Sequence, residues 1–128
     1  MSNDLDDLIK EIDELIRVGK LRRENPYALD LIAVLYPFRG GLPRRQVINE
    51  LWKRRGKKGL NTPKAFEQTV QSAFQQYAGE YAAFQKRGAR DTDNLFFAPK
   101  GLGAGWWSVR QDRADAWLAA RKKEIQQV

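Results

Sequence analysis

The sequence predicts a mainly helical α+β domain with a small antiparallel β-hairpin. Apolar residues recur at three- and four-residue steps through most of the 128-residue chain, which is the period of helices with one buried face. Two aromatic-rich runs, 95–98 and 106–109, are joined by the glycine-rich segment PKGLGAG, a pattern typical of a hairpin. A chain of this length builds one core, so we expect a single domain at 25–111 with further helices at 1–24 and 112–128.

The first segment predicts an acidic amphipathic helix over 4–17, followed by a basic link. Residues 1–16 carry six acids and one lysine, a balance of −5, around an apolar stripe of leucine and isoleucine. The stripe packs on the chain's own domain, or it binds a second copy or a protein partner, since two heptads are too few to establish a coiled coil. An acidic start is unlike a signal or transit peptide, so we expect the cytoplasm, at the nucleoid in a bacterium.

Prolines mark the starts of three helices in the central domain. Asn25-Pro26 predicts an N-cap and the first helical position of a helix that stops before Pro37. Residues 39–42 form a tight turn with room for a short strand, and Pro43 opens the second helix. Thr62-Pro63 repeats the capping signal, and the apolar stripe that follows predicts a third helix to about residue 86, weakened at Gly79. Asp112 is the expected cap of the last helix.

The glycines at 101, 103 and 105 spell G-x-G-x-G, as in nucleotide-binding loops. They lead into Trp-Trp-Ser-Val-Arg, which is strand-like, whereas a phosphate loop opens a helix. We therefore expect a hairpin tip.

Neighbouring aromatic residues in a strand cannot face the same side. One arrangement buries Leu95, Phe97, Trp107 and Val109 and turns Phe96 and Trp106 outward. We expect the last helix to cover the outward rings with Trp117, Leu118 and Ile125. A partner protein, or unpaired bases stacked on the rings, are the alternatives.

Composition and charge narrow the function classes. The chain has no cysteine and no histidine, which excludes disulfides, thiolate metal sites and histidine-dependent triads. No apolar run approaches the ~20 residues of a membrane span.

The basic residues are clustered along the chain. Residues 17–128 carry 22 basic and 10 acidic residues, a balance of +12, and 39–64 hold nine basic residues against Glu50. Such clustering favours a polyanionic partner. The compact carboxylate pair Asp91 and Asp93 is typical of a solvated loop, so we expect no enzyme and no cofactor.

The order of elements is helix, short strand, helix, turn, helix, strand, glycine loop, strand. With Tyr27-Ala28-Leu29, Gly41-Leu42-Pro43, Asn61-Thr62-Pro63 and the Phe-Phe…Gly…Trp-Trp run, this order over 26–110 resembles the winged helix-turn-helix superfamily and, in detail, its HARE-HTH type. The resemblance implies that the third helix, 62–77, lies in the major groove of DNA. It also implies that a wing tip at 99–104 contacts the backbone or minor groove.

The expected contacts with nucleic acid are basic residues around the third helix and a polar row along it. Lys64, Gln68, Gln71 and Gln75 step by four, three and four residues; glutamine can bond adenine N6 and N7 together, although such a row also occurs on solvated helix faces. The basic residues lie near the start of that helix, whose amides attract phosphate. The full predicted set is Arg44, Arg45, Lys57, Lys58, Lys64, Gln68, Gln71, Gln75 and Lys100.

The function predicted from these patterns is a small protein that binds double-stranded DNA, as a transcriptional or phage/mobile-element regulator. The alternative is a winged-helix interaction adaptor that uses the acidic N-terminal helix or the wing aromatics. A further hypothesis is that the acidic helix lies over the chain's own basic face and modulates access to DNA.

Overall fold

The computed structural model describes residues 7, 10–11, 14, 26–57 and 62–126. Asp7, Lys10, Glu11 and Glu14 are helical and exposed, as expected for the polar side of the predicted N-terminal helix. Its apolar stripe lies outside the described residues, as does the predicted cap Asn25.

The described part of the chain is mainly helical, with a small three-stranded antiparallel sheet, which confirms the α+β class. In chain order the elements are α1 (Pro26–Leu35), β1 (Leu42–Pro43), α2 (Arg44–Arg54), α3 (Lys64–Gln76), α4 (Ala82–Lys86), a 3-10 turn (Asp91–Asp93), β2 (Phe96–Phe97), β3 (Trp106–Val109) and α5 (Gln111–Gln126). The strand order is β1-β3-β2, so the predicted hairpin gains a third strand from the turn after α1.

Proline determines where α2 and α3 begin. Pro43 and Pro63 have extended backbone just before each helix. Proline suits this position because its ring fixes φ and because it lacks an N–H, a group that the start of a helix would leave unpaired. The prediction that Thr62 caps α3 is wrong: within the described residues that helix has no side-chain cap, and the Thr62 hydroxyl donates to Glu67 instead. Asp112 is not a cap either, since α5 already includes Gln111 and Asp112 lies in its first turn.

The third helix is shorter than predicted, ending at Gln76. The backbone carbonyl of Tyr77 accepts hydrogen bonds from the amides of Leu95 and Phe96 at 2.8 and 3.0 Å, which a continuing helix would prevent. At Gly79 an added Cβ would lie 2.8 Å from Asn94 Nδ2, and the Gly79 amide donates to Asn94 Oδ1 at 2.8 Å. The helix therefore ends where the Tyr77 carbonyl bonds to the start of β2. The apolar residues predicted to extend the third helix to about residue 86 continue in the separate helix α4.

The register of the sheet determines which aromatic residues are buried. Phe96 pairs with Val109, Phe97 with Ser108, and Leu42 with Trp107. Since cross-strand partners share a face, Phe96 joins Trp107 and Val109 inside. The predicted arrangement is therefore correct for Trp107 and wrong for Phe97, which is half-buried on the outer face while Phe96 is fully buried.

Phe74 of α3 lies at the centre of the core. Its ring stacks on Trp107 at 4.4 Å and on Phe96 at 5.6 Å between centroids. Trp117 of α5 is buried in the same core and contacts Tyr77 edge-on. Helix α5 thus packs its apolar side on the central core.

Cations lie against the two outward rings, whereas Trp117 and Leu118, two of the residues expected to cover the outward side, are buried in the central core. Lys100 Nζ lies 3.7 Å from the Trp106 centroid, and the Arg110 guanidinium lies 4.8 Å from that of Phe97. Ile125, the third apolar residue expected there, has no described side chain.

Candidate nucleic-acid interface

The starts of α2 and α3 are joined through Glu67. Arg45 Nη1 and Nη2 donate to the two carboxylate oxygens of Glu67 at 3.0 and 2.8 Å, and Nη1 also donates to Thr62 Oγ1 at 3.1 Å. The Thr62 hydroxyl donates to Glu67 Oε2. Two planar groups matched in this way form a bidentate, charge-assisted pair. The pair holds the beginning of α3 against the beginning of α2.

The pKa of Glu67 is lowered to about 2. The largest cause is the hydrogen bonding from Arg45, followed by that from Thr62, and the positive charges of Arg45 and Arg44 act in the same direction. Partial desolvation opposes them. Glu67 therefore stays ionised through the physiological range, and its negative charge offsets one of the predicted phosphate-binding arginines.

Arg44 joins α3 to the glycine-rich loop. Its backbone amide donates to the carbonyl of Gly105 at 2.7 Å, and its Nε donates to Gln71 Oε1 at 2.7 Å. The loop between β2 and β3 and the middle of α3 therefore meet at one residue. Because the Gln71 amide oxygen is already paired, this predicted base-reading group belongs to the domain's own network.

The loop 99–105 is a turn between strands. Gly101, Gly103 and Gly105 have φ of +97°, +82° and +80°, which side-chain-bearing residues rarely adopt. A Cβ on each would meet open space. These positions therefore favour glycine because of their backbone conformation and not because a neighbouring group lies close. β3 follows directly, as expected for a hairpin. Lys100 is exposed beside Trp106.

The solvent face of α3 carries mostly polar side chains. Its exposed residues include Lys64 and Gln68, as predicted, together with Thr69 and Ser72, while Gln71 and Gln75 are half-buried. Sequence reasoning missed Thr69 and Ser72 because it placed the exposed side opposite Phe66, Val70, Ala73 and Tyr77. Phe74 is fully buried, so the buried face of α3 is centred closer to Phe74 than those four residues suggest. Including Phe74 when the buried face was defined would have placed Thr69 and Ser72 on the exposed face.

The other basic residues of the region divide into paired and exposed groups. Lys57 is exposed after the end of α2, whereas Lys58 lies outside the described residues. Arg54 and Arg55 pair with the buried carboxylate of Asp30 at 3.5 and 2.6 Å. A buried carboxylate requires such partners, so these two arginines stabilise the domain.

The carboxylates of the 91–93 turn also have partners within the domain. Asp91 pairs with Arg113 at 2.7 Å, and Asp93 with Arg87 at 3.9 Å. Among the described residues no cluster of three or more acidic side chains could hold a metal ion. In the same part of the chain no helix is long and apolar enough to cross a membrane.

Comparisons of the chain with protein-family models, with curated proteins and with solved structures find no match.

Proposed function

We propose that this protein binds double-stranded DNA as a transcriptional or phage/mobile-element regulator, without catalysis. In the proposal α3 enters the major groove and the loop 99–105 lies against the sugar-phosphate backbone. The element order supports it: α1, β1, α2, α3 and the β2–β3 hairpin follow one another as in the winged helix-turn-helix proteins that the sequence resembles.

The observation that carries the proposal is the junction at Arg44. Through its 2.7 Å bonds to Gly105 and Gln71, Arg44 brings the loop and α3 to the same side of the domain. A duplex that reached α3 would thus have the loop beside it.

The chemistry of the exposed side chains fits the same partner. Gln68 offers an uncharged amide on the open face of α3, which suits base edges. The hydroxyls of Thr69 and Ser72 are exposed beside it and are bonded within the helix, Thr69 to the Ala65 carbonyl and Ser72 to Gln76. Lys64 at the start of α3 and Lys100 on the loop are exposed, and lysines in such positions suit phosphate. Lys57 adds a third exposed cation after α2.

A double variant, Lys64→Ala with Lys100→Ala, tests the position of this face. We expect it to bind a mixed-sequence duplex about 50-fold more weakly than wild type at about 50 mM salt, with a slope of log affinity against log salt smaller by about 2, because two phosphate contacts are lost. Fluorescence anisotropy across a salt series gives both numbers.

The matched control is Lys10→Ala with Lys123→Ala, which removes the same charge from two exposed lysines of the terminal helices. An equal loss in both double variants would show that only the overall charge matters and that the face is misplaced. If wild type binds no duplex at low salt, the DNA-binding proposal fails.

A protein-binding adaptor is the second candidate, and two exposed apolar side chains favour it. Leu102 at the loop tip is 57% exposed and Phe38 in the turn after α1 is 46% exposed. Such residues suit a partner protein better than a phosphate backbone. Under this alternative, Leu102→Ser would abolish partner binding, while wild type would bind no duplex.

A further inference from the structure

Glu67 is an acidic residue placed among the arginines that the sequence assigned to phosphate. Its side chain is 18% exposed, whereas that of Arg45 is 55% exposed. Arg44 Nη1 lies 3.8 Å from Glu67 Oε1. The carboxylate thus lies beneath two cations that reach the surface.

The geometry of the Arg45–Glu67 pair is the one a phosphate would use. Both terminal nitrogens of Arg45 donate to the two oxygens of one anion, and arginine binds carboxylate and phosphate through the same bidentate edge. Arg45 Nη1 also donates a second hydrogen bond, to Thr62 Oγ1. A phosphate that approaches this edge must therefore replace Glu67 or accept a poorer contact.

The location of Glu67 strengthens its competition with an external anion. It lies in the first turn of α3, where the helix dipole favours negative charge. A phosphate at the start of α3 would meet the same favourable field together with a fixed carboxylate a few ångströms away. Repulsion between these two anions lowers the attraction that Arg44, Arg45 and Lys64 provide.

We propose that Glu67 is an internal competitor for phosphate, which holds Arg45 in the free protein and lowers the affinity for DNA until Arg45 is released; this inference rests on the proposed DNA-binding function. Glu67 then sets the salt concentration at which the protein leaves the duplex. A purely positioning role, in which Glu67 aims Arg45 at the backbone, predicts the opposite effect of its removal.

The test is Glu67→Gln, which keeps the size and hydrogen-bonding oxygen and removes the charge. We expect roughly tenfold tighter binding to a mixed-sequence duplex at about 50 mM salt and a salt slope steeper by about 1, equivalent to one added phosphate contact. Glu50→Gln is the matched control, because Glu50 pairs with Lys53 on the surface of α2. It should change affinity by about twofold or less, because surface charges act weakly across salt solution.

A double-mutant cycle with Arg45→Gln assigns the gain to Arg45. In the wild-type background this change should weaken binding less than about threefold, since Arg45 is already occupied; in the Glu67→Gln background it should remove most of the gain. Weaker binding by Glu67→Gln, or a gain equal to that of Glu50→Gln, would overturn the competition. If wild type itself bound no duplex at low salt, the proposed function would be refuted instead.

A measurement on the wild-type protein removes any dependence on how the variants fold. The ¹³C signal of the Glu67 side-chain carboxylate can be followed by NMR as duplex is added. Release of Arg45 should shift that signal in proportion to the bound fraction. A Glu67 signal that stays unchanged at saturation would mean that the pair persists in the complex, and the proposal would be wrong.

Discussion

At the scale of single residues, arginine and lysine have different tasks in this domain. Arg54 and Arg55 neutralise Asp30, and Arg45 neutralises Glu67, because the planar guanidinium matches a carboxylate held in one orientation. The lysines at 57, 64 and 100 stay exposed. Within the predicted set, which holds two arginines and four lysines, the charge open to a partner is therefore carried largely by lysines.

The ion pair of Glu67 predicts how stability changes with pH. Its pKa in the folded protein is about 2, against an ordinary glutamate pKa of about 4.3 in an unfolded chain. A lowered folded-state pKa contributes stability that is fully present above the unfolded value and is lost as the pH falls towards 2. Wild type should therefore be more stable than Glu67→Gln at pH 6, and the difference should shrink between about pH 4.5 and 2.

Thermal unfolding followed by circular dichroism over that pH range measures the difference. Glu50→Gln provides the control, since an exposed pair contributes little at any pH. A gap between wild type and Glu67→Gln that stayed constant down to pH 2 would show that the charge of Glu67 does not stabilise the fold.

At the scale of elements, short strands position the longer helices. Strand β1 has two residues, yet its pairing with β3 places the start of α2 against the glycine loop. The turn before β1 passes very close to β3: a Cβ on Gly41 would lie 2.5 Å from the Trp107 carbonyl oxygen, and the residue has φ of +84°. A side chain there would clash with the backbone of β3 unless β1 or β3 shifted.

Two glycine-to-alanine variants separate close approach from backbone strain. Gly103 has a similar φ of +82° but open space around it, so Gly103→Ala should cost only about 1–2 kcal/mol. Gly41→Ala adds a backbone clash and should cost at least about 3 kcal/mol. Urea unfolding of both variants gives the comparison, and equal costs would mean that the contact at Gly41 is relieved by a small shift.

At the scale of the whole molecule, the C-terminal helix and the central helices share one core. Ala114, Trp117 and Leu118 of α5 are buried in the cluster that contains Phe74. Tyr36 donates to Asp115 at 2.7 Å and Gln111 donates to the Tyr36 carbonyl at 2.6 Å, which ties α5 to the end of α1. We therefore expect 26–126 to unfold as one unit.

Trp117→Ala tests that expectation. Removing a buried tryptophan should cost about 3–5 kcal/mol and lower the Tm of a single transition by about 10–20 °C. The exposed Ala119 of the same helix provides a control as Ala119→Ser, which should move the Tm by about 2 °C or less. Separate transitions for α5 and the rest, or an unchanged Tm, would contradict the shared core.

The sequence by itself determined the helix starts at Pro26 and just after Pro43 and Pro63, together with the glycine turn of the hairpin, because proline, glycine and apolar periodicity act within a few residues. It also identified Lys57, Lys64, Gln68 and Lys100 as polar residues of the candidate interface, and the structure finds all four exposed.

Only the tertiary structure decided where α3 ends, which phenylalanine is buried and how the arginines are paired. The helix α3 ends where the Tyr77 carbonyl accepts hydrogen bonds from the amides of Leu95 and Phe96, 18 and 19 residues later. Phe96 is buried because it pairs with Val109, and Arg45 is occupied by a carboxylate 22 residues away. These outcomes depend on contacts between distant parts of the chain, whose geometry exists only after the elements have packed.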